Sequence, residues 1–314
     1  MSSAVSAKIK AELGVKLPYP TKVMWNSFYD ALLAISKIFL GEDKTKMCKL
    51  RTLLDSIPGL ERFNTQDIEI IKEYVEVMSP VSQALDILQS EKYAYTGGLL
   101  PTIYGVQNKL RTMKNRTTNT LKFMKPVATR LLEALKTRFD HLFDDYDLLL
   151  GTAFNPGFKI YFIQLMKEDK VPLIKQKMVQ ELKSFVDQKG DTSGSSDEDE
   201  VKDSKKPVLW QDLMTSKKVN KTQEKIDVKL LREVDAWIKP SDQTIPNIHM
   251  FPQEHRKAWL GAFIKYNTSI PSSAAVERLF STGSNIMRPK RNRLTSLNFE
   301  LLVFLKGNSK LLES

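Results

Sequence analysis

The 314-residue chain is 41% hydrophobic and 27% charged, an ordinary soluble composition that argues against wholesale disorder. Its 48 Lys+Arg against 37 Asp+Glu leave a net charge of +11, an excess that points toward a polyanionic partner. A single cysteine, Cys48, excludes an internal disulfide framework and a Cys-pair zinc site, and no apolar run approaches the roughly 20 residues of a membrane span. The three histidines, His141, His249 and His255, are too scattered to replace the missing thiols. The polar opening MSSAVSAKIKAEL has no signal-peptide core, so the expectation is a soluble protein of the cytosol or nucleus.

Most of the chain reads as helix. Between Trp25 and Leu40, Phe28, Leu32, Ile35 and Phe39 recur at three- and four-residue steps, and Asn26 or Ser27 can cap the helix they imply. Ile68, Ile71, Val75 and Met78 repeat the pattern, Pro80 interrupts it, and Val81, Leu85 and Leu88 resume it. A kinked helix and two abutting helices both fit, since proline removes a donor and crowds the preceding turn. Tyr95 to Pro101 is a break in which Gly97 and Gly98 permit unusual backbone angles and Pro101 suits the first turn of the next helix. Leu110, Met113, Leu121, Met124, Leu131 and Leu135 keep a helical step, so that helix is expected to be long. Beside this stripe lie Lys109, Arg111, Lys114, Arg116, Lys122, Lys125 and Arg130, with no acid between Lys109 and Arg130. Such a run is either a solvated face or a phosphate-facing surface.

Asp140, Asp144, Asp145 and Asp147 lack the glycine and terminal glutamate of a calcium loop, so they read as structural, solvated acids rather than a metal site. A further helix is expected over Val171 to Val186, with Pro172 in its first turn. Residues 187–206 lose almost all large apolar residues and read as a disordered acidic linker, whose SSDEDE core is a weak signal for an acid-directed kinase. The linker divides the chain into a helical block before it and a second block after it. Strand-like alternation is scarce and no internal repeat appears, so the fold class is mainly α.

The most informative stretch is Tyr266 to Asn308, YNTSIPSSAAVERLFSTGSNIMRPKRNRLTSLNFELLVFLKGN. Ser272 or Ser273 can cap a helix whose buried stripe would be Val276, Leu279 and Phe280, with Glu277 off that stripe and Gly283 as terminator. Arg288, Lys290, Arg291 and Arg293 then form a dense basic loop suited to phosphate contact or nuclear import. Thr295 or Ser296 can cap a last helix in which Leu301, Leu302, Val303, Phe304 and Leu305 are consecutive. Five successive apolar residues cover the whole circumference of a helix, which must then be buried by its own domain or by a second chain.

This block resembles the C-terminal dimerisation region of hAT-family transposases. The serine-rich start, the Glu-Arg pair, the PKRNRL loop and the FE-LL-FLK ending stand in the same order. Elsewhere PTKVMWNSFYDAL is similar to the family's Arg-Trp-Asn-Ser segment, with Met24 where arginine is usual. GGLLPT at Gly97 to Thr102 and LLLGTAFNPGFK at Leu148 to Lys159 also look like family landmarks.

The resemblance implies an RNase H-like core interrupted by a helical insertion domain, with three acids holding divalent metal ions for strand cleavage and transfer. It places the last of those acids at Glu277. It puts the first two on strands upstream of the Trp25 segment, where this sequence has no aspartate. A BED-type zinc finger is also missing, in keeping with the lone cysteine. The implied organisation is an N-terminal tail at 1–20, an insertion-like helical domain at 21–186, the linker at 187–206 and a C-terminal block at 207–314 that carries the dimerisation region at 266–308. This is a helical insertion domain plus a C-terminal remnant of the core. Trp25 is implied to lie near a cleaved DNA end, against the plainer reading of a core or helix-start tryptophan.

The expected function is therefore that of a truncated or domesticated transposase derivative acting in the nucleus. It homodimerises through Phe299, Leu301, Leu302, Phe304 and Leu305. It binds DNA largely without sequence preference through Trp25, Lys114, Lys122, Arg288, Lys290, Arg291 and Arg293. Glu277 is an orphan third acid, no resident metal or cofactor is expected, and magnesium enters only in a complete transposase. Neither a membrane nor a small-molecule substrate is expected. Two rivals stand beside this reading: a fragment of an active transposase, and a protein–protein adaptor that ignores DNA.

Overall fold

The structure is a computed structural model that describes residues 10, 11, 13, 14, 17, 18, 26–41, 43–56, 64–90, 94–118, 120–187, 226–241, 246–287 and 294–309. Among these residues there are helices and 3-10 turns and no strand, so the chain is mainly α. It divides into two compact units: Met1–Ile87 with Thr102–His141, and Leu88–Pro101 with Leu142–Ser314. The expected linker lies, apart from Asp187, outside the described residues.

The first unit is built from α1 (Asn26–Leu40), α2 (Lys44–Asp55), most of α3 (Thr65–Gln89), the later turns of α4 (Leu99–Lys114) and α5 (Lys125–Phe139). Ile38, Phe39, Leu50 and Leu53 form one core with Leu13. Val77, Val106, Leu110, Leu121, Ala128 and Leu132 form a second. The buried face of α1 runs through Ala31, Ile38 and Phe39, one step round from the expected stripe. Phe28 is half-exposed and meets Tyr74 edge-on at 5.7 Å. Asn26 is the first helical residue rather than a cap, and its amide donates to Asp86 at 2.9 Å. Pro80 lies buried inside one uninterrupted helix, which settles the choice between one helix and two.

The long helix expected over residues 101–135 is instead two. α4 ends at Lys114, and α5 starts at Lys125 with Pro126 in its first turn. The intervening sequence is rich in threonine and asparagine, which form helix poorly, and Pro126 fits only where its missing N–H is not needed. Leu121 keeps the helical spacing because it is buried in the same core as residues of both helices.

The second unit contains α6 (Tyr146–Phe154), α7 (Lys159–Lys167), α8 (Val171–Asp187), α9 (226–236), α10 (Arg256–Asn267), α11 (Ala274–Ile286) and α12 (Ser296–Gly307). The linker suggested a division of the chain before and after it. Residues 142–187 nevertheless share a unit with the C-terminal helices, because those helices complete its aromatic core. Trp259 and Phe154 are fully buried 5.7 Å apart, Trp237 lies 4.7 Å from Trp259, and Phe251 stacks on Trp237. Trp237 satisfies its indole N–H on the Ala153 carbonyl at 2.8 Å.

A buried polar network ties the Gly97 turn to this core. Gly97 N–H donates to Asn267 Oδ1, Asn267 Nδ2 donates to Gly151 O, and Thr152 Oγ1 donates to Gly97 O. Gly97 and Gly98 form a 3-10 turn without a positive φ, so the reason for glycine at 97 is space rather than backbone angle. A Cβ there would stand 2.3 Å from the Gly151 carbonyl oxygen.

Candidate dimerisation face and nucleic-acid contacts

α11 and α12 form the candidate site. The chain enters α11 through Ser272, whose hydroxyl donates to the Leu88 carbonyl at 2.8 Å, and Arg278 donates to the Gln89 carbonyl at 2.9 Å. These bonds use the free carbonyls at the C-terminus of α3, which have no intrahelical partner. Ser273 stands at the N-cap with helical backbone angles and caps no amide. Its hydroxyl donates instead to Glu277 Oε1 at 2.6 Å. Glu277, the expected orphan acid, is thus an exposed carboxylate held by its own helix turn.

Gly283 does not terminate α11. It lies buried within the last turn of the helix, where α12 approaches closely: a Cβ would meet the Phe299 ring at 3.2 Å and Val303 at 3.8 Å. α12 opens at Thr295, whose hydroxyl accepts from Asn298 N–H at 3.3 Å, as its sequence position predicts.

Val276, Leu279 and Phe280 are not a buried stripe. They are 42%, 44% and 71% exposed. On α12, Leu297, Leu301, Leu302, Phe304 and Leu305 are exposed as well, while Phe299 and Val303 are half-buried against α11. Between the two helices runs an open cleft of about 590 Å³ floored by Gly283, Phe299 and Val303 and edged by Leu279, Phe280 and Phe304. Their packing on each other therefore leaves eight large apolar side chains of the two helices roughly half in water. A patch of that size and continuity is characteristic of an association surface.

The basic stretch of the first unit looks different once α3 is in view. Glu69, Glu73 and Glu76 recur along α3 and meet it. Lys122 pairs with Glu69 at 3.3 Å, and Arg116 pairs with Glu76. The Glu73 carboxylate accepts the backbone N–H groups of Lys122, Phe123 and Met124 at 2.8–2.9 Å, capping the start of α5. Burial alone would raise its pKa, but those three amides outweigh it and hold the carboxyl below its ordinary value. Arg130 pairs with Glu133 on its own helix. Lys114 is half-exposed, without an ion pair among the described residues. Lys109 and Arg116 line a cleft of about 480 Å³ with Tyr29, Leu33 and Pro80. Of the expected DNA contacts, Trp25, Arg288, Lys290, Arg291 and Arg293 lie outside the described residues.

The aspartates after α5 have local partners. Asp144 holds Lys167 and Lys170, which keep its carboxyl below the usual range, and Asp145 caps α6 by accepting from Asp147 and Leu148. A different set of chemically competent groups, unremarked in sequence because its members are 21 residues apart, is Glu233 with Glu254 and His255. Among the described residues no helix is long and apolar enough to cross a membrane.

A comparison with curated proteins returned no match. Residues 263–309 match the family model described as the hAT family C-terminal dimerisation region. That range contains the end of α10 and all of α11 and α12, the same helices whose apolar surface is uncovered. The chain thus carries the hAT family C-terminal dimerisation region, which supports a hAT transposase-derived protein that dimerises.

Proposed function

We propose that this protein is a nuclear, transposase-derived homodimer that binds DNA mainly through its phosphates and does not itself cut it. The observation that carries the reading is the uncovered apolar surface of α11 and α12 inside the matched dimerisation region. The dimer brings together two copies of a chain of net charge +11 and two copies of the basic sequence Arg288, Lys290, Arg291 and Arg293. Doubling the basic surface raises affinity for a polyanion without demanding any base-specific contact. Lys114 supplies a further cation, while Lys122 and Arg116 are partly neutralised by α3.

The RNase H-like origin of the C-terminal helices belongs to this proposal and rests on the family resemblance. So does the inactivity. A two-metal reaction needs several carboxylates around one pair of ions, and Glu277 is an exposed acid engaged by Ser273. No resident metal is needed at that position.

Fluorescence anisotropy on a random-sequence duplex tests the DNA reading. The apparent association constant falls linearly on a log–log plot against salt. Neutralising Arg288, Lys290, Arg291 and Arg293 together flattens the slope by roughly one for each phosphate that is no longer paired with a cation. An unchanged slope removes these four cations from the interface, and no binding at low salt favours the adaptor reading. On a supercoiled plasmid with magnesium or manganese, the 314-residue chain leaves the DNA intact. Metal-dependent nicking that vanishes in Glu277→Gln overturns the inactivity.

A further inference from the structure

Three metal-competent side chains converge where α9 meets the start of α10. Glu233 lies on α9, and Glu254 and His255 directly precede α10. Each offers a ligand atom, and these atoms lie within 4.8 Å of one another. His255 Nδ1 stands 3.2 Å from Glu233 Oε2, and both side chains are only 13% exposed. Ligands ~2.0–2.1 Å from a tetrahedral zinc ion are separated by about 3.3 Å, so this pair already has the spacing of one tetrahedron edge.

Two further observations point the same way. His255 Nδ1 is fully buried and makes no hydrogen bond. Its close polar neighbour is the Glu233 carboxylate, which it can pair with only as a protonated ring, so a neutral imidazole there leaves a ligating lone pair facing Glu233. Glu233 Oε2 also accepts the indole N–H of Trp259 at 2.8 Å, which orients the carboxylate as an outer partner orients a metal-bound one. A cleft of about 520 Å³ lined by Glu254 and His255 provides access from solvent.

We propose that Glu233, Glu254 and His255 bind one divalent ion of the zinc class, with water completing its coordination. Two carboxylates and a neutral imidazole balance a dication, and the imidazole selects zinc, cobalt or nickel over magnesium or calcium. The ion clamps α9 to the start of α10, a structural role separate from Glu277 and from the α11–α12 face. Lys229, which holds Glu254 Oε1, and the adjacent Arg256 oppose a second positive charge, so the affinity is micromolar rather than nanomolar.

Titration of the metal-free full chain with cobalt(II) and zinc(II) tests this. One site per chain with a dissociation constant of about 1–100 μM is expected, together with a visible cobalt spectrum of tetrahedral type that zinc abolishes and magnesium does not. His255→Gln and, separately, Glu254→Gln weaken binding at least about tenfold, while His249→Gln leaves it unchanged. Circular dichroism reports whether each variant folds. Should His255→Gln unfold, the exposed Glu254→Gln decides. Zinc binding that survives Glu254→Gln undiminished, or none at about 1 mM zinc, overturns the proposal.

Discussion

At Gly97 the structure leaves no room for a side chain. An added Cβ would lie 2.3 Å from the Gly151 carbonyl oxygen and 2.5 Å from Asn267 Oδ1, neither of which can retreat without breaking the buried network. Gly97→Ala is predicted to cost about 3 kcal/mol, read as a lowered urea midpoint at unchanged slope. Gly105 is the contrast: it lies inside α4 with open space where a Cβ would go. Gly105→Ala is predicted to stabilise by about 0.5–1 kcal/mol, because alanine has less backbone freedom to lose. Glu73 gives a pH-dependent prediction. Its folded carboxyl titrates below its ordinary value of 4.5, so its stabilisation is complete above that pH and is lost as pH falls through the lower folded value. Glu73→Ala leaves the three backbone amides just before α5 without their acceptor and should cost about 1–2 kcal/mol at neutral pH. In acid the difference between wild type and variant should narrow, as paired thermal melts across pH would show. None of this was visible in sequence, where Glu73 and Lys122 stand 49 residues apart. What sequence does carry is local chemistry: Thr295 caps α12 and Pro101 sits in the first turn of α4, both as their positions predict.

At the scale of elements, helical periodicity located α1, α3, α8, α11 and α12, merged α4 with α5, and gave no reading for α2, α6, α7, α9 and α10. The step from Leu110 to Leu135 continues through a break because both sides of the break feed one core, and spacing alone cannot distinguish that from a continuous helix. Likewise Gly283 looks like a stop signal, since glycine commonly follows the last helical turn. Its actual use, close approach to Phe299, requires knowing that α12 returns alongside α11. Gly283→Val should push the Phe299 ring aside and weaken the α11–α12 pair by about 1–3 kcal/mol. Native-state hydrogen exchange checks it: α12 amides should exchange roughly tenfold faster for each 1.4 kcal/mol lost, with the α6 and α8 amides unaffected. The stripe Val276, Leu279 and Phe280 was legible as apolar, but whether its cover comes from the same chain or another is not encoded in spacing.

For the whole molecule the question is what covers that surface. α11 and α12 together leave Leu279, Phe280, Leu301, Leu302, Phe304 and Leu305 in contact with water. Burying such a side chain completely is worth about 1.5–3 kcal/mol, of which roughly half remains to be gained here, and an isologous interface recovers that remainder twice, once from each copy. The measurement that tests this most directly is light scattering on the purified chain at about 50 μM, above the micromolar dissociation constant expected of an interface this apolar. Wild type should have twice the mass of one chain. Leu302→Asp combined with Leu305→Asp should have the mass of one, with unchanged helical content by circular dichroism, because a carboxylate cannot be desolvated in an apolar interface without a partner. A wild-type monomer at that concentration, or a dimer indifferent to both aspartates, would contradict the account.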